Sequence, residues 1–203
     1  MILGVDPGYA KCGWSIVEPR TGRVIALGLI TTMKVHGLHV SADRAVRVSK
    51  VCDELAALAQ RYGAHTIAAE QPLGFGASAA IAANQLPWGA VLMLARMLGL
   101  ELYEVIAKVW QRAVLGLGDD EKVKYDQVES ALTKYVGTQL AEVLVGLDKK
   151  DRRHPLDATG ASMLVGLQPA RATRIVRARA AAFNSEANCS AEAPVVQPEA
   201  VSS

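Results

Sequence analysis

The chain has 203 residues, of which 51% are hydrophobic, 21% charged and only 5% aromatic. That length suits one well-cored domain and is too short for two ordinary ones, and the core must be built from Ala, Val, Leu and Ile. The net charge of +2 conceals an asymmetry: residues 184–203 hold three Glu and no Lys or Arg, which leaves 22 basic against 17 acidic side chains, a net +5, in the first 183. A mildly basic body is compatible with a polyanionic partner without requiring one. Three widely spaced cysteines, Cys12, Cys52 and Cys189, form neither a metal-ligand pattern nor a disulfide framework and fit a reducing, cytoplasmic compartment. The N-terminus lacks the features of a signal peptide, and no apolar run reaches the roughly 20 residues that cross a bilayer.

In chain order, residues 2–6 read as a short buried strand halted by Pro7-Gly8, followed by strands over 12–18 and 23–31 joined by a Pro/Gly turn. Residues 41–62 have helical periodicity, with Val48, Val51, Leu55 and Leu58 on one face and Gly63 as the stop. A fourth strand spans 66–70. A Gly-rich loop over 73–78 leads to a nearly all-apolar helix over 79–98, which Pro87 is expected to kink or split. A fifth strand covers 101–106. Short helices follow over 109–115, 125–135 and 138–147, around a charged loop at 116–124. A last core helix starts near Pro155 and runs to Leu167. The organisation expected is a core domain over 1–169, a basic extension over 170–183 read as a helix, and a disordered Ala/Ser/Pro/Glu-rich tail over 184–203. The fold class is α/β: a five-stranded mixed sheet, three strands antiparallel and then two parallel, flanked by helices.

Three acids occupy similar places. Asp6 ends the first strand, Glu70 ends the fourth, and Asp157 lies in the expected first turn of the last core helix. Sites in open sheets gather at the carboxyl ends of parallel strands, so adjacent first and fourth strands would bring Asp6 and Glu70 to one edge. Carboxylates forced together need a cation, and hard oxygen ligands suit Mg²⁺, with Mn²⁺ as a substitute. Two such ions, about 3.5–4 Å apart, can hold a phosphodiester, activate water and stabilise the leaving oxygen. Each acid also has an ordinary explanation: Asp before Pro-Gly as a turn residue, Glu70 as a strand end meeting solvent, Asp157 as a partner of the helix dipole. Their joint placement carries the argument. His154, three residues before Asp157, is read as the cap of a helix whose first residue is Pro155, able to bind metal or act as a general acid or base.

Four stretches resemble the RuvC family of Holliday-junction resolvases, in that family's order and spacing from residue 1 to about 167. They are Ile2-Leu3-Gly4-Val5-Asp6-Pro7-Gly8 with Gly13-Trp14; Ile67-Ala68-Ala69-Glu70-Gln71; Val109 to Gly118 with Asp126-Gln127-Val128; and His154-Pro155-Leu156-Asp157-Ala158. The resemblance implies an RNase H-like fold, a homodimer, and a crossover junction endodeoxyribonuclease that resolves four-way junctions by paired symmetric nicks in recombination and repair. It implies metal-binding, catalytic roles for Asp6, Glu70 and Asp157, with His154 at a position the family fills with Asp or His, and a branch-migration helicase complex as a partner. There are departures. Gly160 stands where an alignment shifted by three residues would place the last acid, and Pro72-Leu73-Gly74 intervenes before the aromatic Phe75.

Phe75, between two glycines, is a candidate to wedge or stack at an opened base pair, or else a loop anchor. Lys108, Arg112, Lys122 and Lys124 are candidates for phosphate contacts, and Arg171, Arg174, Arg177 and Arg179 form a second basic run. The competing readings are an RNase H-like nuclease for other branched DNA such as flaps or forks, a noncatalytic junction-binding protein, and an ATP-binding protein of the actin and sugar-kinase superfold. The last normally needs a second domain for which the chain has no room.

Overall fold

In the computed structural model, which describes residues 1–72, 79–118 and 121–176, the first three strands form a meander. They are β1 (Ile2–Asp6), β2 (Lys11–Val17) and β3 (Val24–Thr31). The chain continues through α1 (Val40–Tyr62), β4 (Thr66–Glu70), α2 (Ala79–Leu98), β5 (Glu101–Val105), α3 (Ala107–Leu115), α4 (Tyr125–Thr133), α5 (Thr138–Val145) and α6 (Lys149–Leu167). A 3₁₀ turn at Pro169–Arg171 then leads into β6 (Thr173–Val176). The sheet order is β3-β2-β1-β4-β5-β6. β1, β4 and β5 are parallel, while β2, β3 and β6 run antiparallel to their neighbours.

Side chains alternate across the sheet with a period of two, and this sorts the core into two layers. Leu3, Val5, Ile16, Ile67 and Ala69 pack with α1 and α2 on one face. Ile2, Val17 and Ala68 pack with Trp110 of α3, Val128 of α4 and Leu156 and Ala161 of α6 on the other. Asp6 is in step with Ile2 along β1, and Glu70 with Ala68 along β4, so both acids fall on the α6 face.

Helix α6 lies unusually close to the sheet because the residues beneath it are small. A Cβ placed on Gly4 would sit 2.1 Å from the Ala158 carbonyl oxygen, and one on Gly13 would sit 2.1 Å from the His154 carbonyl. The hydroxyls of Ser15 and Ser162 meet at 3.0 Å across the same seam.

The structure corrects three expectations. The sheet has six strands, because the basic run expected to be helical begins as an edge strand. β-branched Thr173, Ile175 and Val176 favour extended backbone, and the open edge of β5 offers it hydrogen bonds; residues 177–203 lie outside the described part. Helix α6 starts at Lys149, with Asp148 at the N-cap position, so Pro155 is interior to the helix rather than its first residue. The missing N–H of Pro155 frees one carbonyl of the preceding turn. Helix α2 runs through Pro87 as one element, with no split. Among the described residues, no helix is long and apolar enough to cross a membrane.

Candidate active site

The parallel register pairs Val5 with Ala69, which sets Asp6 and Glu70 side by side at the carboxyl ends of adjacent central strands. Helix α6 crosses over this edge on its bed of glycines and presents His154 and Asp157 one turn apart. Because α6 begins at Lys149, Asp157 is in its third turn, where the helix dipole no longer explains a carboxylate. Gly160 follows one turn later. A Cβ there would fall 2.2 Å from the Trp110 ring, so this packing leaves no room for an acid at that position.

Each acid has a distinct set of partners. Asp6 Oδ2 meets His154 Nδ1 at 2.5 Å. Glu70 is 8% exposed, and its Oε2 accepts a 3.0 Å hydrogen bond from the indole N–H of buried Trp110. Asp157 accepts from Arg153 Nε on Oδ2 at 3.1 Å and from the Tyr125 hydroxyl on Oδ1 at 3.3 Å. Nearby, Lys11 of β2 pairs with Asp151 of α6, which ties the helix start to the strand after the Asp6 turn.

The electrostatics are those of crowded carboxylates. Burial, followed by the charges of Asp157 and Asp6, pushes the Glu70 carboxyl well above the usual carboxylate range. Burial, followed by Asp6, raises Asp157 as well, against the opposing pull of Arg153. The hydrogen bond to Asp6 raises the His154 imidazole above its ordinary value. Burial and the Asp157 charge push Tyr125 upward, which keeps its hydroxyl a neutral donor. Two buried acids that resist ionisation, beside a third, form a site short of positive charge.

That shortage is what a divalent cation relieves, and oxygen donors with one imidazole suit it. Among the described residues, no three His, Cys, Asp or Glu side chains already stand at ligand spacing. The acidic oxygens are instead bonded to Trp110, Tyr125, Arg153 and His154.

Not every residue expected at the site is brought to it. Lys108 is exposed on α3, and Lys122 and Lys124 are exposed ahead of α4. Arg112 reaches the Glu121 carbonyl at 3.5 Å. Among the described residues, none of these four hydrogen-bonds or ion-pairs with the acidic cluster. Phe75 lies outside the described residues. Three contributors escaped the reading of the sequence: Trp110, Tyr125 and Arg153. Arg153 is four residues before Asp157, a spacing that signals a pair within one helix, but a helix started at Pro155 leaves it outside. For Trp110 and Tyr125 the partners are 40 and 32 residues away, so no local pattern exposes them.

A model of the family described as "Crossover junction endodeoxyribonuclease RuvC" matches residues 2–160. The chain belongs to the RuvC family. The crossover junction endodeoxyribonuclease RuvC of Sinorhizobium medicae is 32% identical over 149 residues, covering 70% of this chain and 85% of the relative. That of Citrifermentans bemidjiense is 30% identical over 135 residues, covering 65% and 78%. The Thermus thermophilus RuvC structure determined with a Holliday junction substrate superposes with a TM-score of 0.64 at 19% identity, covering 86% of this chain and 98% of that one. The yeast mitochondrial Holliday junction resolvase superposes with a TM-score of 0.51 at 12% identity, covering 84% and 81%. As a RuvC-family member the chain is a crossover junction endodeoxyribonuclease, a metal-dependent phosphodiester hydrolase on an RNase H-like fold.

Proposed function

We propose that Asp6, Glu70 and Asp157 hold Mg²⁺, two ions per site, and that with His154 they cut four-way DNA junctions by paired symmetric nicks. The observation that carries this reading is the convergence of three carboxylates from β1, β4 and α6 on one edge of the sheet, two of them with proton affinity raised by burial and by the neighbouring carboxylates. Bound there, divalent ions would supply charge neutralisation and an activated water. The chain's own residues do the rest. Asp6 fixes the ring of His154 through Nδ1, which leaves Nε2 to accept or deliver a proton or to ligate metal. Trp110 holds Glu70 in place from behind.

A four-way junction with two scissile strands calls for two such sites, and a symmetric pair of chains supplies them. Helix α2 offers a surface for that pairing: Leu86, Met93 and Met97 share one face and are 43%, 56% and 77% exposed. In this reading residues 1–169 form the nuclease domain. Lys108, Arg112, Lys122 and Lys124 touch DNA phosphates, Phe75 stacks at the opened junction, and the basic run after Pro169 contacts a DNA arm.

The test is one gel in Mg²⁺ comparing a four-way junction, a flap, a plain duplex and an RNA–DNA hybrid. Symmetric nicks confined to the junction are expected. Equal cutting of the flap would move the substrate to branched DNA at large, and junction binding without any cutting would leave a noncatalytic binder.

A further inference from the structure

Arg153 stands out because the enzymatic reading gives it no task, yet it is bonded to a residue that reading needs. Its Nε donates to Asp157 Oδ2 at 3.1 Å. The Asp157 side chain is 5% exposed while that of Arg153 is 53% exposed, so the pair joins a buried acid to a surface cation. Tyr125 holds the arrangement from α4. Its ring lies under the guanidinium, 4.7 Å from Arg153 Cζ to the centroid. Its hydroxyl reaches both Asp157 Oδ1 at 3.3 Å and the Arg153 carbonyl at 3.4 Å. Both oxygens of Asp157 are therefore engaged, one by a full positive charge.

We propose that Arg153, shelved on Tyr125, is a built-in counter-cation that competes with the divalent metal for Asp157 and gates metal loading. The proposal rests on the reading of Asp157 as a metal ligand. A carboxylate has about four lone-pair sites, so Arg153 does not fill Asp157 sterically. The conflict is one of charge: a divalent ion takes a carboxylate oxygen at about 2.1 Å, and the guanidinium 3.1 Å from that carboxylate would repel it. The weaker tether yields. An ion pair between residues four apart on a helix, with one partner half exposed, is worth about two- to fivefold in an equilibrium. Arg153 has a long, solvated side chain free to swing outward, whereas Asp157 is fixed in the core side of α6. In the metal-free enzyme Arg153 offsets the negative charge of the cluster; in the loaded enzyme it is released toward solvent. Of the other cations at this end of α6, Lys11 pairs with Asp151 and Arg152 bonds the carbonyls of Leu147 and Val145, so neither holds one of the three acids.

The competition is measured by titrating Mn²⁺ into the DNA-free full-length protein and following free Mn²⁺ by electron paramagnetic resonance, with Asp157→Asn, Arg153→Gln, Arg153→Lys and Tyr125→Phe alongside wild type. Arg153→Gln should tighten Mn²⁺ half-saturation about threefold and lower the melting temperature of the metal-free protein. Arg153→Lys keeps the charge at the same helical spacing and should restore both values toward wild type. Tyr125→Phe keeps the shelf and removes the hydroxyl, so its half-saturation should lie between wild type and Arg153→Gln. An unchanged or weakened half-saturation in Arg153→Gln, with Asp157→Asn still losing Mn²⁺, overturns the gate and leaves the metal site standing. If Asp157→Asn binds Mn²⁺ as wild type does, Asp157 is no ligand and both readings fall.

Discussion

His154 and Asp6, 148 residues apart in sequence, share a 2.5 Å hydrogen bond where α6 crosses the end of β1. The contact depends on Gly13, because any side chain there would occupy the space of the His154 carbonyl. The functional pair and the close packing of helix on sheet are thus one feature.

Gly13→Ala should therefore lift the start of α6 off the sheet. Overpacking of this kind costs about 1–3 kcal/mol, and backbone rather than a flexible side chain is in the way. Thermal denaturation should show a lower melting temperature, and added Mn²⁺ should stabilise the variant less than wild type, since His154 and Asp157 move away from Asp6 and Glu70. A variant with wild-type melting and wild-type Mn²⁺ response would show that the seam is looser than described.

Trp110→Phe keeps an aromatic ring in the core but removes the N–H given to Glu70 and part of the indole that fills the space above Gly160. Leaving a buried acceptor without its donor costs about 1–3 kcal/mol. Chemical denaturation should show a loss on that scale, with nicking reduced because Glu70 is no longer held.

How much of this was legible in the residues follows from where each signal resides. β1 and β4 are short apolar runs halted by Pro7-Gly8 and Gln71-Pro72, and the acids that close them mark the site edge directly. The position of α6 was harder. Pro155 imitates a helix start, and the true start at Lys149 lies in a charged, unpatterned stretch. β6 was misread for a similar reason: alternating Arg and small residues suggest a helix, and only the open edge of β5, a tertiary fact, makes the segment a strand. The pairing of Trp110 with Glu70 and of Tyr125 with Asp157 has no local signature at all.

The loop before α1 is held by Asp43, which accepts the Val35 backbone N–H at 2.7 Å and a guanidinium N–H of Arg47. The Val35 bond, more than Arg47, holds its carboxyl below the ordinary range. A lowered folded value means that this stabilisation is present at neutral pH and is lost as pH falls through the folded value, below the ordinary 3.8. The difference in melting temperature between wild type and Asp43→Asn should be full at pH 7 and should shrink in that acidic window. A gap that is constant with pH would assign the effect to shape rather than charge.

Lys108, Lys122 and Lys124 are exposed and free to meet phosphate. Each Ala substitution should weaken junction binding similarly for all junction sequences and reduce the slope of log affinity against log salt by about one. An unchanged slope would remove that residue from the DNA interface.

The central claim is that the three acids are metal ligands for phosphodiester hydrolysis, and single-turnover nicking of a labelled four-way junction in Mg²⁺ tests it most directly. Asp6→Asn, Glu70→Gln and Asp157→Asn are each expected to lower the nicking rate by more than about a hundredfold, the scale of several kcal/mol of lost metal assistance, while a gel shift in the absence of metal shows junction binding intact. Nicking within tenfold of wild type in any one of them would contradict the assignment of that residue, and in all three would contradict the site.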